Sequence, residues 1–179
     1  MRGVIAVIEA LSEGIGGLAA LVVIPLVLAT CYEVFARYVF GAPTIWAFEL
    51  GYILMGIHFL LGGAITLKRQ GHVRIDLIYA QLSAKRQAVI DLVLYAVLVL
   101  PALSLIFLRL ADYATEAFHS GETTGQSAWN PPIWPLRAII AASFLLLTLQ
   151  VLAEMLKCIG TLRDSRSEDG GAAEQRTPS

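Results

Sequence analysis

Residues 14–32 read GIGGLAALVVIPLVLATCY, a stretch with no charged side chain. Three further stretches, at residues 50–67, 92–108 and 138–153, also lack acidic and basic residues, apart from His58 in the second. A helix crosses the hydrocarbon core of a bilayer with about 20 apolar residues, and each stretch reaches that length once its weakly polar flanks are added. The sequence therefore predicts an all-α integral membrane protein with four transmembrane helices. The predicted spans are at about residues 15–37, 45–67, 86–108 and 133–157.

The composition of the chain agrees with a membrane location. Of its 179 residues, 57% are hydrophobic and 15% are charged, whereas roughly 25% are charged in an average soluble domain. A net charge of −1, with no continuous basic stripe, gives no indication of a nucleic-acid partner. The length suits one compact transmembrane bundle, which we place at residues 1–163. The small, polar residues 164–179 are predicted to form a disordered cytoplasmic tail.

The basic residues predict the orientation of the chain in the membrane. Ten of the 13 Lys and Arg residues lie before the first apolar stretch, between the second and third, or after the fourth. The other three lie in the two remaining gaps. Since basic residues concentrate in short loops on the cytoplasmic side, both termini and the 68–90 loop are predicted to be cytoplasmic (N-in, C-in). The first and third gaps then face the exterior.

The N-terminal part of the chain carries two further signals. Apolar residues at helical spacing within residues 4–15 leave Glu9, Ser12 and Glu13 off their face. This pattern predicts a short interfacial helix that leads into the first span; the alternative is a plain extension of that span. Within the span, Pro25 predicts a kink, which membrane helices tolerate when neighbouring groups satisfy the freed carbonyl.

Few ionisable groups lie within the predicted spans. Glu33 and Arg37 are one helical turn apart, so they are expected to pair within the helix, unless one of them contacts a partner chain. Glu49 lies in the first turn of the second span, where a helix N-terminus favours an anion; a bridge to Arg37 or to a partner is the alternative. His58 has no second acid or histidine at a similar depth, which favours a packed, hydrogen-bonded side chain over a proton relay.

The sequence lacks the motifs of the common catalytic and metal sites. It contains no Walker Gly-Lys-Ser/Thr, no Gly-x-Ser-x-Gly, no His-Glu-x-x-His and no cysteine pair at zinc-finger spacing. A metal site from His72, Asp76 and His119 is excluded by the predicted topology, because His119 lies on the other side of the membrane. We therefore expect no enzyme activity, no cofactor and no metal. Three basic residues are expected to attract anionic lipid headgroups; they are Lys68, Arg69 and Arg74.

Four short motifs occur in a recognisable order. Residues 33–40 read EVFARYVF, Trp-x-x-Glu follows at residues 46–49, and residues 71–76 read GHVRID. Residues 127–135 then read SAWNPPIWP. Over about residues 10–160, this set resembles the small membrane subunit of tripartite ATP-independent periplasmic (TRAP) transporters, the DctQ-like family.

The resemblance implies a role in a secondary transporter of the bacterial inner membrane. In such a transporter, a periplasmic binding protein delivers small organic acids, typically carboxylates, and a sodium gradient drives their uptake. A large membrane subunit carries the moving transport domain, and the multi-pass small subunit braces it. The resemblance also assigns partner-interface or motif roles to nine residues of this chain. They are Arg37, Tyr38, Trp46, Glu49, His72, Arg74, Asp76, Trp129 and Pro132.

Two other classes of membrane protein are alternatives to a transporter subunit, and each requires residues at particular depths in the membrane. A membrane anchor of a respiratory complex, the main alternative, would bind quinone or haem, and a bis-histidine haem needs axial ligands on facing helices. His58 is the only histidine at mid-depth of a predicted span. A small multidrug exporter would need a carboxylate buried in the first span, but Glu9 and Glu13 lie too near its start and Glu33 too near its end.

Overall fold

The structure is a computed structural model, and it describes residues 2–69 and 82–174. In this part of the chain, six α-helices and one π-helical turn make up the regular structure, and there is no β-strand. The α-helices are α1 (Arg2–Leu21), α2 (Val23–Val39), α3 (Ala47–Lys68), α4 (Ala84–Leu94), α5 (Leu100–Ser120) and α6 (Trp134–Glu174), and the π-helical turn is Tyr95–Val99. The predicted all-α fold is therefore confirmed.

Four helical segments are long and apolar enough to cross a membrane, as predicted. They are Gly3–Val39, Ala47–Lys68, Arg86–Ser120 and Trp134–Arg163. The third segment extends beyond its predicted end at residue 108, until Gly121 ends α5 in a left-handed conformation with φ of 66°. The cytoplasmic placement of both termini stays a prediction.

The C-terminal part of α6 differs from the sequence-based expectation. Its backbone is helical as far as Glu174, within the segment that is predicted to be a disordered tail from residue 164. Once a helix is formed, each further residue adds a backbone hydrogen bond, so a helix can continue into a polar segment. Residues 175–179 of the predicted tail lie outside the described part of the chain.

The first span is a helix with one interruption. The helix α1 is unbroken over its whole length. The N-terminal segment is therefore an extension of the first span and not a separate interfacial helix, in agreement with the second of the two interpretations given above. At Val22 the helix is irregular, and the Val22 N–H lies 3.3 Å from the Leu18 carbonyl and 3.2 Å from that of Ala19. Pro25 explains the interruption, since it has no N–H to donate to Leu21 and its ring would clash with that carbonyl. The break between α1 and α2 lies three residues before Pro25, and the kink at Pro25 stays a prediction.

A second irregularity lies in the third span, just before Pro101. In the π-helical turn, the Leu100 N–H bonds to the carbonyl of Tyr95, five residues back. Pro101 cannot donate a helical hydrogen bond, and irregular turns of this kind commonly accompany proline in helices. The third span is therefore two α-helices, α4 and α5, joined by a π-helical turn.

The helix α6 lies at the centre of the bundle and packs against α1, α3, α4 and α5. In contrast, α2 packs chiefly on α3 and leaves most of its own surface exposed. Most of the buried apolar residues are alanines. They are Ala19, Ala29, Ala36, Ala47, Ala64, Ala88, Ala117, Ala141 and Ala153. Small side chains let membrane helices approach closely, where association depends on packing and hydrogen bonds.

Candidate functional site

A turn held by Glu33 joins the first two spans. Arg37 Nε donates to Glu33 Oε1 at 2.9 Å, so the ion pair predicted within α2 is present. The other carboxylate oxygen, Oε2, accepts from the Thr44 N–H at 2.8 Å and from the Thr44 hydroxyl. Gly41, with φ of 60°, permits the reversal of the chain between them. One carboxylate thus ties the end of α2 to the residues just before α3.

Trp46 adds an aromatic contact to the same turn. Its ring stacks on that of Tyr32, with centroids 5.9 Å apart and an interplanar angle of 21°. Because Tyr32 lies on α2 and Trp46 directly precedes α3, the stack joins these helices near the predicted exterior surface. Tryptophan and tyrosine are enriched at this depth of a membrane. Trp46 therefore has a partner within its own chain.

Glu49 lies in the first turn of α3 and is fully buried, with 0% of its surface exposed. Its Oε2 accepts a hydrogen bond from the hydroxyl of Ser127, in the loop between α5 and α6. Its Oε1 has no hydrogen-bond partner among the described residues. A helix N-terminus stabilises a carboxylate by up to ~2 kcal/mol, but burying an unpaired ion costs more than that, several kcal/mol. The charge of this carboxylate is therefore only partly compensated within the described chain.

The loop between α5 and α6, residues 121–133, is held in a compact shape by backbone hydrogen bonds. The Thr124 N–H donates to the Pro131 carbonyl at 3.1 Å, and the Ile133 N–H donates to the Glu122 carbonyl at 3.0 Å. These bonds join the two arms of the loop like those of a hairpin. Its tip is thereby directed toward the N-terminal end of α3, where it meets the buried carboxylate described above.

Arg137, in the first turns of α6, ties the loop to the bundle. Its guanidinium donates to both carboxylate oxygens of Glu122, at 2.7 and 2.8 Å. Its Cζ also lies 4.1 Å from the centroid of the Tyr113 ring on α5. The planar guanidinium suits a bidentate pair and a ring contact at once, which a lysine could not match. One side chain therefore links the loop, α5 and α6.

Replacing Arg137 by glutamine is expected to loosen this loop, because both the bidentate pair and the ring contact are lost. Protease cleavage of the loop in detergent-solubilised protein should become about five times faster, which corresponds to about 1 kcal/mol of loop stability. The matched control is Arg109→Gln, which removes an exposed cation from α5. Equal protease sensitivity of the two variants would contradict the anchoring role of Arg137.

A second polar cluster, the inner network, connects α1, α3 and α6 near the other end of the bundle. Its members are Glu9, Ser12, Glu13, Lys68, Gln150, Glu154 and Lys157. The Ser12 hydroxyl donates to Gln150 Oε1 at 2.8 Å, and the Gln150 amide donates to Glu154 at 2.9 Å. Ser12 and Gln150 are both fully buried. Polar side chains inside the bundle thus join helices from opposite ends of the sequence.

Two lysines provide the positive charge of the inner network. Lys157 Nζ lies 2.5 Å from a Glu9 oxygen and 2.8 Å from a Glu154 oxygen. Lys68 Nζ lies 2.9 Å from Glu13 and 3.5 Å from Glu9. Glu9 therefore links α1 to α3 and to α6. Charged groups within membrane helices usually pair with one another in this way, since an unpaired charge is costly there.

The positions of the apolar runs in the sequence do not predict the inner network. Ser12 and Gln150 are uncharged, and the charged members lie at the ends of the runs, where a surface position is the simpler interpretation. One signal is present in the sequence. Gln150, Glu154 and Lys157 are spaced by four and three residues, which places them on one face of a helix. A polar row of this kind in a membrane helix indicates a face that turns inward.

His58 has a structural contact. Its Nδ1 lies 2.9 Å from the carbonyl oxygen of Ala19, to which an Nδ1–H would donate, so it links α3 to α1. The predicted packed, hydrogen-bonded histidine is confirmed.

Four of the nine predicted interface residues are accessible in the structure. Tyr38 is 80% exposed, and Trp129 and Pro132 are exposed in the loop between α5 and α6. Arg37 is also exposed, but its guanidinium is paired within α2, so the bridge to Glu49 that the sequence left open is not formed. These four positions remain available to a second chain.

The other five residues divide into two groups. Trp46 is half-buried and Glu49 is fully buried, and both have partners within the chain. A second chain could therefore reach Glu49 only after the covering loop had moved. The remaining three lie outside the described residues; they are His72, Arg74 and Asp76.

Most of the chain matches a known protein family. The matching model is that of tripartite ATP-independent periplasmic transporters, DctQ component, and the match covers residues 26–161. The matched region includes Glu49, its covering loop and the α6 members of the inner network. The α1 members lie before it. No curated protein matches the chain.

Proposed function

This chain belongs to the DctQ component family of tripartite ATP-independent periplasmic transporters, and we propose that it braces the large membrane subunit of such a transporter. It is a small permease subunit and a multi-pass membrane protein, not an enzyme. The family implies partnership with the large membrane subunit and with a binding protein. The bacterial inner membrane is the location that this role requires.

The observation that carries the proposal is that polar contacts tie the bundle together at both of its ends. At one end, Glu33 and Glu49 hold the connecting segments between helices. At the other end, the inner network joins α1, α3 and α6. A brace has to keep its shape while a neighbouring domain moves against it, and a satisfied buried polar network such as the inner network makes a helix arrangement rigid.

We propose that the exposed side of α2 contacts the large subunit. This helix lies at the edge of the bundle and packs chiefly on α3. It exposes large apolar side chains over its whole length, namely Ile24, Val27, Leu28, Tyr32, Val34, Phe35, Tyr38 and Val39. Between α2 and α3, Phe35 and Leu50 line an open apolar groove. A groove of this kind suits a helix of a membrane partner.

Solute binding is proposed to occur in the large subunit. The basic side chains that form ion pairs inside this bundle, Lys68, Lys157 and Arg137, are each matched by carboxylates of the same chain. A carboxylate solute needs cations or N–H donors that are free to bind it. Sodium-driven uptake of small organic acids, delivered by a periplasmic binding protein, is therefore proposed for the whole assembly, with this chain as a rigid support.

The accessible motif residues, Arg37, Tyr38, Trp129 and Pro132, keep partner-facing roles in this proposal. Tyr38 and Trp129 are the most accessible aromatic candidates, and lipid headgroups are expected near the exposed Arg69. The respiratory-anchor alternative is not retained, because the family to which the chain belongs is a transporter family.

Removing this chain while keeping the large subunit and the binding protein is expected to reduce solute uptake at least tenfold. The reason is that an unbraced scaffold would tilt when the transport domain moves. The measurement is uptake of a labelled carboxylate, one that the binding protein retains, into proteoliposomes with an imposed sodium gradient. The amount and thermal stability of the large subunit serve as controls. Uptake at the normal rate with an intact large subunit would show that no brace is needed.

A further inference from the structure

Two buried side-chain oxygens among the described residues lack a hydrogen-bond partner. One is Glu49 Oε1, and the other is Thr124 Oγ1 in the loop that covers Glu49. Thr124 lies three residues before Ser127, whose hydroxyl donates to the other oxygen of the same carboxylate. Buried polar atoms are nearly always paired. One unpaired oxygen therefore lies at the start of α3 and the other in the loop that covers it, and a ligand bound between them would supply what the described residues do not.

The charge at this junction also calls for a positive ligand. Glu49 is fully buried, and none of the ion pairs among the described residues includes it. The basic residue nearest in the sequence to the covering loop, Arg137, already binds both oxygens of Glu122. Burying a carboxylate without a counter-charge is unfavourable. Water would satisfy the orphaned oxygens but would leave the charge uncompensated, whereas a cation would do both.

We propose that Glu49, Ser127 and Thr124 form a binding site for one monovalent alkali cation. The donors are a carboxylate and two hydroxyls, and hard cations prefer oxygen ligands. The Ser127 hydroxyl donates its proton to Glu49 and accepts the Trp129 N–H at 3.2 Å, which leaves it one lone pair for an ion. One carboxylate balances one positive charge. Among the described residues no three His, Cys, Asp or Glu side chains are grouped as transition-metal sites require.

The burial of the site favours an ion over a side chain from another protein. Both unpaired oxygens are shielded from solvent, so an arginine or lysine of a partner has no path to them while the loop is closed. An ion enclosed by the loop would bind α3 and the loop together. The site is distinct from the proposed contact surface on α2, and its existence does not depend on the bracing role.

The test uses the purified full-length protein in nanodiscs of zwitterionic lipid. Thermal unfolding is followed while N-methyl-D-glucamine chloride is exchanged for NaCl or KCl at constant ionic strength. For the wild-type protein we expect a saturable rise of the melting temperature, roughly 5 °C at a cation concentration about 100 times the dissociation constant. Tryptophan fluorescence should change over the same range, because Trp129 lies two residues from Ser127.

Two variants and one control distinguish a cation site from a protonated carboxyl group and from a general effect of salt. Glu49→Gln keeps the shape of the side chain but removes its charge, and it should abolish the cation response. Thr124→Val removes only one neutral ligand and should weaken the apparent affinity several-fold. Glu116→Gln, which changes an exposed carboxylate near the same end of α5, should respond like the wild type.

Three experimental results would contradict the proposed cation site or part of it. If sodium, potassium and N-methyl-D-glucamine stabilise the wild-type protein equally, the site holds no alkali cation. If the wild-type protein shows no cation response and Glu49→Gln matches its stability in every salt, the carboxyl group carries a proton in place of a cation. If Thr124→Val binds the cation as tightly as the wild type, the assignment of the second oxygen is wrong.

Discussion

Replacing Gly16 by leucine is expected to lower the free energy of unfolding by about 3 kcal/mol. A Cβ at this position would lie 2.8 Å from Cγ2, 2.9 Å from Cδ1 and 3.0 Å from Cβ of Ile65. Real Cβ contacts are essentially never shorter than 3.0 Å, so the Ile65 side chain would have to shift or α1 and α3 would have to move apart. Their separation would also strain the inner network, because Glu9 on α1 reaches Lys68 on α3.

The neighbouring glycine provides a matched control for this prediction. Nothing lies within 4 Å of a Cβ built on Gly17, so Gly17→Leu should leave the stability unchanged or raise it slightly. The measurement is the unfolding of both variants by denaturing detergent, followed by circular dichroism. In the Gly16→Leu background, Ile65→Ala should restore part of the lost stability. Equal losses for the two glycine variants would rule out a close α1–α3 crossing at Gly16.

Replacing Lys157 by methionine is expected to cost about 2 kcal/mol, because it removes the cation shared by Glu9 and Glu154. Breaking a fully buried pair costs 3–5 kcal/mol, and breaking a surface pair costs about 0–1 kcal/mol. The Lys157 side chain is 36% exposed, so an intermediate value is expected. The methionine keeps the length and apolar character of the stem, so the effect measures the charge and its contacts.

Two further variants test whether the loss arises from the inner network. Arg163→Met removes an exposed cation from the same helix and should change the stability by less than about 0.5 kcal/mol. Glu9→Gln combined with Lys157→Met should cost less than the sum of the two single changes, since the uncompensated carboxylate is then gone. Strict additivity of the two substitutions would mean that Glu9 and Lys157 do not interact.

The region that matches the family does not include the α1 residues of the inner network. The match begins at residue 26, yet Glu9 and Ser12 lie before it and contact α6 within it. The first helix therefore contributes contacts to the bundle that the matched region alone does not contain. In the proposed brace, α1 is a structural member and not a separate surface helix.

Local sequence determined the features that depend on one or two helical turns. The four apolar runs specified the spans, and the prolines at positions 25 and 101 mark the two interruptions of the helices. The i, i+4 spacing of Glu33 and Arg37 was sufficient to predict their pair. Gly121 ends α5 with the left-handed conformation that favours glycine. Each of these features follows from neighbours along the chain, because the spacing of residues within a helix is constant.

The tertiary structure alone decided which polar groups from distant parts of the sequence meet. Ser127 is 78 residues from Glu49, and Ser12 is 138 residues from Gln150. Both contacts depend on how each helix is rotated about its own axis. In α3, apolar residues occur on every side, so their periodicity does not reveal which face turns inward, and the polar row of α6 does not reveal which helix it meets. Close packing of small residues, such as Gly16 against Ile65, determines that rotation and brings the buried polar groups together.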